Sequence, residues 1–131
     1  MSKERFKTAS SAYVILVKDD KVGFPKGDKG FLLSNIEGGE TAREAVVRKV
    51  EDSLKINVSV DNLYEPLTMH RSGKNGESFD LFFVCDKWDG NISNVDWYNF
   101  DKLPKDMIEF QLLALQSLMS GVKYLEYGWK K

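Results

Sequence analysis

The segment from residue 38 to residue 55 restricts the fold of this chain more than any other part of the sequence. Thr41 follows a Gly-Gly-Glu link, and Glu44 stands three positions after Thr41. A threonine and a glutamate at this spacing form a capping box, which predicts a helix over residues 42–55 with Thr41 as its N-cap. Its apolar residues recur at helical spacing on one side: Ala42, Ala45, Val46, Val50 and Leu54. Another layer of the protein must cover that side.

Strand patterns lie on both sides of this helix in the sequence. Residues 11–18 contain a near-continuous apolar run, which is typical of a strand covered on both faces. Asp19 and Asp20 then predict a hairpin turn. Further strands are predicted over residues 21–24, 31–36, 63–71, 79–88 and 95–100. Pro104 precedes a second helical pattern, which predicts a helix over residues 105–120.

This order of elements predicts an α/β fold, specifically an α/β/α sandwich with a mixed β-sheet between helices. A length of 131 residues suits a single domain, residues 1–131. We expect residues 1–10, which are polar, to be flexible. Residues 122–131 form an aromatic C-terminal tail that contains Tyr124, Tyr127 and Trp129. We expect this tail either to pack on the domain or to contact a second copy in a dimer.

Charge and composition exclude several classes of function. The chain has 19 basic and 20 acidic side chains and a net charge of −1, so we expect no nucleic-acid polymer as partner. No run approaches the roughly 20 apolar residues that span a bilayer, and residues 1–10 lack the apolar core of a secretion signal. We therefore expect a cytoplasmic location and no membrane partner. Cys85 is the only cysteine and His70 the only histidine, which excludes an internal disulfide and a zinc site built from histidines.

The run from Gly39 to Val50 resembles the centre of a Nudix box, the signature of the MutT-like hydrolases. When Glu40 is aligned with the first glutamate of the box, the expected arginine falls at Arg48, and apolar positions of the box fall at Val50 and Ile56. Residues 11–18, 69–84 and 96–104 resemble the first strand, a hairpin and a late tryptophan-containing strand of the same family. The resemblance covers about residues 10 to 120 and implies a Nudix-like fold.

The resemblance also implies where the chemistry of the family would lie. Intact boxes present three carboxylates at positions i, i+3 and i+4 on one helical face, where they bind Mg²⁺ or Mn²⁺ that activates water. The same positions here are Lys49, Asp52 and Ser53. An ammonium about 4 Å from a unit positive charge opposes it by about 4 kcal/mol at an effective dielectric of 20. Ser34 and Lys55 replace two glycines of the box. This degenerate box predicts weak or absent pyrophosphohydrolase activity.

Three interpretations of the helix remain open. The residual box positions are Glu40, Arg48, Lys49, Asp52 and Ser53. In the first interpretation they belong to a solvated face with ion pairs four residues apart: Glu44–Arg48, Arg48–Asp52 and Glu51–Lys55. In the second, Asp52 and Glu51, together with Glu40, hold a weakly bound metal. In the third, Arg48, Lys49 and Arg71 bind a phosphate group without a metal.

These interpretations lead to three functional hypotheses. We prefer a Nudix-like protein with little or no catalysis that binds a nucleotide or another phosphorylated small molecule. The second is an active Nudix hydrolase of a nucleoside diphosphate derivative, which would need Mg²⁺ or Mn²⁺ as cofactor. The third is a partner-binding domain without a small-molecule ligand. A homodimer is compatible with all three, and the sequence leaves enzymatic activity undecided.

Overall fold

The computed structural model describes residues 8–130, which form a seven-stranded sheet and two α-helices. The strands are β1 (Ala9–Lys18), β2 (Lys21–Pro25), β3 (Leu32–Asn35), β4 (Leu67–Gly73), β5 (Gly76–Cys85), β6 (Val95–Asn99) and β7 (Tyr124–Tyr127). The helices are α1 (Ala42–Leu54) and α2 (Glu109–Met119), with a short 3₁₀ helix at Val60–Asn62. Within residues 8–130, no helix is long and apolar enough to cross a membrane.

The sheet is mixed, with the strand order β6-β2-β1-β5-β4-β7. The central strand β1 pairs in parallel with β5, and its other edge is shared by β3 at one end and β2 at the other, both antiparallel. β4 forms an antiparallel hairpin with β5, and β7 pairs in parallel with β4. All seven strands of the described chain therefore belong to one sheet.

Alternating side chains of β1 point to two separate cores. Val14 and Leu16 pack in the cluster that contains Val46 and Val50 of α1. Tyr13 and Ile15 pack in the other cluster, with Leu67 and Phe82 of the sheet and with Ala114 and Leu115 of α2. Because the sheet is covered by α1 on one face and by α2 on the other, the predicted α/β/α sandwich is confirmed.

The local signals around α1 act as the sequence predicts. Thr41 Oγ1 accepts a hydrogen bond from the N–H of Glu44 at 3.1 Å, and Glu44 Oε1 accepts one from the N–H of Thr41 at 2.8 Å. The helix ends at Leu54, and Lys55 follows in the left-handed conformation with φ 57°. Asp19 and Asp20 form the predicted two-residue hairpin turn, also with positive φ angles.

Three elements begin three or more residues away from their predicted starts. The second helix starts at Glu109 instead of residue 105, because the Met107 N–H bonds to the Pro104 carbonyl in a turn and the Ile108 N–H bonds to the Lys29 carbonyl. β4 starts at Leu67 instead of residue 63, directly after Pro66, which has no N–H for a sheet ladder. β5 spans residues 76–85 instead of 79–88, because Gly73 pairs with Gly76 across a tight turn.

The predictions for the first ten residues and for the aromatic tail can be compared with the described part of the chain. Of the residues expected to be flexible, residues 1–7 lie outside the described part, whereas Ala9 and Ser10 belong to β1, so the expectation was wrong for those two. The aromatic tail packs on the domain: it forms β7 beside β4, and Trp129 Nε1 donates a hydrogen bond to the His70 carbonyl at 2.8 Å.

Candidate functional site in the box cleft

The box helix and the end of β3 enclose a cleft of about 470 Å³. Its polar lining comes from Asp28, Asn35, Glu37, Arg48 and Lys49, and Phe31, Leu32 and Leu33 supply the apolar part. We call this cavity the box cleft. It exists because the link between β3 and α1, residues 36–41, places the first turns of α1 beside the end of the β3 strand.

Arg48 fastens the helix to this link. Its Nε donates to Glu40 Oε2 at 3.1 Å, and its Nη2 donates both to Glu40 Oε1 at 2.8 Å and to the Asn35 carbonyl at 3.0 Å. Glu40 Oε1 also accepts the N–H of Glu37 at 2.9 Å. The Arg48 hydrogen bond, followed by that from Glu37, holds the pKa of the Glu40 carboxyl below its ordinary value. Glu40 is therefore a carboxylate near neutral pH, but both of its oxygens are already engaged.

The predicted ion pairs along the helix do not form. Among residues 8–130, Arg48 pairs with Glu40 and, at 3.9 Å, with Glu37, and Glu44, Glu51 and Asp52 take part in no ion pair within 4 Å. Arg48 pairs with Glu40, which precedes the helix, because two hydrogen bonds from a guanidinium to one carboxylate are more favourable than single contacts along the helix. The interpretation of this face as a set of helical ion pairs was therefore wrong.

Lys49 lines the box cleft and is half-buried. Within the described part of the chain its ammonium has no carboxylate partner within 4 Å. Half-buried lysines usually reach water or an anion, because an ammonium without either is costly to desolvate. Lys49 thus presents a positive charge that the protein itself does not neutralise.

The remaining box positions supply few metal ligands. Glu51 and Asp52 are exposed, and Ser53 is half-buried. Residues 8–130 contain no group of three or more His, Cys, Asp or Glu side chains arranged to hold a metal ion. Divalent Mg²⁺ and Mn²⁺ need several oxygen ligands at once. Glu51, Asp52 and Ser53 belong to no such group among the described residues, so they do not fit a cation of this kind.

Arg71, predicted to join Arg48 and Lys49, lies elsewhere. Along β4, side chains alternate between faces, so Arg71 shares the face of Leu67 and Met69, which pack in the α2-side core. Its Nε donates to Asp80 Oδ2 at 2.6 Å, and its guanidinium lies 4.0 Å above the ring centre of Phe110 in α2. The prediction that Arg71 contributes to the phosphate-binding group was therefore wrong.

Arg71 belongs to a buried cluster that was not predicted from the sequence. Asp80 is fully buried, and its Oδ1 has no hydrogen-bond partner among the described residues. Burial, together with the negative charge of Asp80, raises the pKa of Tyr13 to about 12. A signal was present in the sequence: Ser78, Asp80 and Phe82 share one face of β5, so an acidic residue occupies an inward position.

Comparison with known proteins identifies the class of this fold. No family model matches the chain, and no curated protein matches its sequence. Solved structures do match, and they show that the fold is that of the Nudix hydrolases, as the resemblance in the sequence implied.

Three of these structures illustrate the similarity. A MutT Nudix hydrolase from Burkholderia pseudomallei superposes with a TM-score of 0.70 at 15% identity, over 85% of this chain and 98% of that one. A Nudix hydrolase from Nitrosomonas europaea gives a TM-score of 0.67 at 14% identity, over 96% and 82% of the two chains. A UDP-X diphosphatase gives a TM-score of 0.67 at 16% identity, over 94% and 69%. At these identities the likeness concerns the fold.

Proposed function

We propose that this chain is a divergent, cytoplasmic Nudix protein that binds a phosphorylated small molecule, such as a nucleotide, and hydrolyses pyrophosphates weakly or not at all. The observation that carries the proposal is the position of Lys49. Lys49 occupies the first of three box positions at which the family resemblance leads us to expect a carboxylate, it is one of the residues that line the cleft, and its ammonium has no acidic partner within 4 Å among the described residues.

Lys49 can supply a positive charge to a bound phosphate, which is part of what a metal ion would supply. An ammonium donates charge-assisted hydrogen bonds to phosphate oxygens, and it needs no carboxylate ligands to do so. The same charge repels a divalent cation from the site. The proposed phosphate binding and the proposed weakness of metal binding therefore both follow from the presence of Lys49.

Arg48 contributes differently from Lys49. Its guanidinium is engaged by the Glu40 carboxylate and by the Asn35 carbonyl, so we assign it to positioning the cleft rather than to binding the phosphate. Lys49 is then the cation of the box cleft that forms no ion pair with any carboxylate in the described part of the chain. One cation suits a single phosphate group better than a polyphosphate chain.

The acidic residues of the cleft further restrict the class of ligand that fits it. Asp28 and Glu37 also line it, and their negative charges oppose a ligand that consists only of phosphate groups. Carboxylates accept hydrogen bonds from hydroxyl or amino groups. A phosphate ester whose remainder carries such donors, for example a sugar or a nucleoside, matches this mixture. A nucleotide sugar is also a reasonable probe, because one structure of the same fold is named a UDP-X diphosphatase.

The test is isothermal titration calorimetry with inorganic phosphate, ribose 5-phosphate, AMP and UDP-glucose, each with and without Mg²⁺. We expect at least one ester to bind without Mg²⁺, and Lys49→Ala to weaken that binding by about tenfold, as expected for loss of a charge-assisted contact. Lys87→Ala removes an exposed lysine beyond the end of β5 and serves as the matched control. Equal affinity of the Lys49→Ala and Lys87→Ala proteins would refute the assignment.

A hydrolysis assay on UDP-glucose, the one compound of the four that contains a phosphoanhydride bond, tests the other half of the proposal. We expect little cleavage of UDP-glucose into UMP and glucose 1-phosphate in the presence of Mg²⁺ or Mn²⁺. Robust metal-dependent turnover that is lost in Asp52→Ala would instead establish an active Nudix hydrolase. Absence of binding to every compound would favour a partner-binding domain.

A further inference from the structure

A second cavity, of about 540 Å³, lies between the tip of the β4–β5 hairpin and the C-terminal tail. The side chains that matter are Ser72, Lys74, Glu77, Trp129 and Lys130. We call this cavity the tail pocket. It shares no lining residue with the box cleft. Its size is within the range of about 300–1,000 Å³ that is usual for small-molecule sites.

The aromatic wall of the tail pocket is held in place. Trp129 Nε1 donates to the His70 carbonyl at 2.8 Å, and its ring lies 4.6 Å from the imidazole of His70. Gly128 has φ +83°, and a Cβ atom there would lie 2.0 Å from the Ser72 carbonyl oxygen. The tail therefore fits closely against β4 at this point, and only glycine permits the approach. A wall fixed before binding reduces the entropy that a ligand must overcome.

The charges around this wall are predominantly positive. Lys74 stands in the hairpin turn and Lys130 follows Trp129, and both are exposed. Within residues 8–130 neither forms an ion pair within 4 Å. Glu77 is the acidic residue among the lining side chains, so the lining contains two cations and one carboxylate. An aromatic face beside two free cations is suited to a ligand that is both flat and negatively charged.

We propose that the tail pocket is a binding site for a nucleoside monophosphate, whose base stacks on Trp129 and whose phosphate contacts Lys74 and Lys130. Glu77 then accepts a hydrogen bond from an amino group of the base, which favours adenine or cytosine over uracil. This proposal does not depend on the function proposed for the box cleft. The site is formed only when the tail is docked, so ligand binding there also stabilises the docked tail.

Tryptophan fluorescence tests the proposal directly with AMP as the probe. The titration uses the Lys49→Ala protein, in which we expect binding in the box cleft to be weakened, and the Trp129 variant below separates the two sites. We expect saturable quenching that disappears in Trp129→Phe, because Trp88 and Trp97 stack on each other at 6.1 Å outside this pocket. Quenching that persists unchanged in Trp129→Phe would overturn the proposal.

The cations are tested by a double variant with a matched control. Lys74→Ala/Lys130→Ala should weaken AMP binding by about tenfold or more, while Lys87→Ala/Lys105→Ala, which removes two exposed lysines elsewhere, should leave it unchanged. Circular dichroism confirms that each variant is folded. Equal affinities of the two double variants would refute the phosphate contact. Inorganic phosphate that competes as well as AMP would refute stacking, and UMP should bind more weakly than AMP.

Discussion

Arg48 donates two hydrogen bonds to the carboxylate of Glu40, from Nε to Oε2 at 3.1 Å and from Nη2 to Oε1 at 2.8 Å. Eight residues separate the two, and the contact spans the junction between the link after β3 and the helix α1. A bidentate pair of this kind fixes orientation as well as distance. Arg48 thus positions the link after β3 against the helix α1.

The first prediction concerns the pH dependence of this pair. The pKa of Glu40 is lowered in the folded protein, so its contribution to stability is complete above the unfolded pKa and is lost as pH falls through the folded pKa. We expect Glu40→Gln to lower the melting temperature at about pH 7, and the difference from wild type to shrink as the solution is acidified below about pH 4. Thermal melts across this range measure it. Glu65→Gln, in an exposed pair with Lys123, is the control, and a constant difference at all pH values would contradict the prediction.

The second prediction concerns the metal affinity of α1 after carboxylates are introduced at the positions of Lys49 and Ser53. Lys49→Glu/Ser53→Glu, together with the native Asp52, places three carboxylates at the i, i+3 and i+4 positions of the helix face. We expect calorimetry to show Mn²⁺ binding at least tenfold tighter than in wild type, because a repulsive charge is replaced by ligands. Lys49→Gln/Ser53→Gln separates loss of the positive charge from gain of oxygen anions. Equal Mn²⁺ affinity of wild type and the glutamate variant would show that the substitutions do not explain a poor metal site.

The third prediction concerns Lys55, which ends α1 in the left-handed conformation with φ 57°. The family resemblance leads us to expect a glycine there, and a side chain at such a φ costs about 1 kcal/mol relative to glycine. Lys55→Gly should therefore raise the free energy of unfolding by about 1 kcal/mol in urea denaturation. Lys55→Ala removes the same charge without relieving the backbone. If alanine stabilises as much as glycine, the gain comes from the charge and not from the conformation.

The fourth prediction concerns the buried pair of Arg71 and Asp80. Arg71→Met leaves the fully buried Asp80 carboxylate without its cation, which typically costs about 3 kcal/mol or more. We expect urea denaturation to show that loss, and the double variant Arg71→Met/Asp80→Leu to recover most of it, because it removes the stranded charge. A double variant that is less stable than Arg71→Met alone would indicate that the pair contributes more than it costs.

The positive φ values at Asp19 and Asp20 illustrate how much a short pattern can decide. Two adjacent turn-forming residues between apolar runs are enough to specify a two-residue hairpin loop, because the loop closes within the same short segment. The same is true of the capping box of Thr41 and Glu44. The fold class and most of the strands were predictable for this reason.

The candidate site was predictable in part. The box register placed Lys49 and Arg48 on the correct helix, since neighbours along a helix follow directly from the sequence. The partner of Arg48 was not predictable, because Glu40 lies in a link whose path depends on β3. The face occupied by Arg71 depends on the register of β4 against β5, which a shift of one residue reverses.

Three features follow from the sequence alone: the capped helix, the alternation of apolar side chains in the sheet, and the presence of Lys49 and Ser53 at positions where the family resemblance implies carboxylates. Each of these is a property of residues within a few positions of one another. Only the tertiary structure decided where α2 begins, that the tail adds β7 to the sheet, and that Trp129 and Lys74 meet in one pocket. Those features depend on contacts between segments that are distant in the sequence. Such contacts stabilise the protein only after folding has brought the segments together.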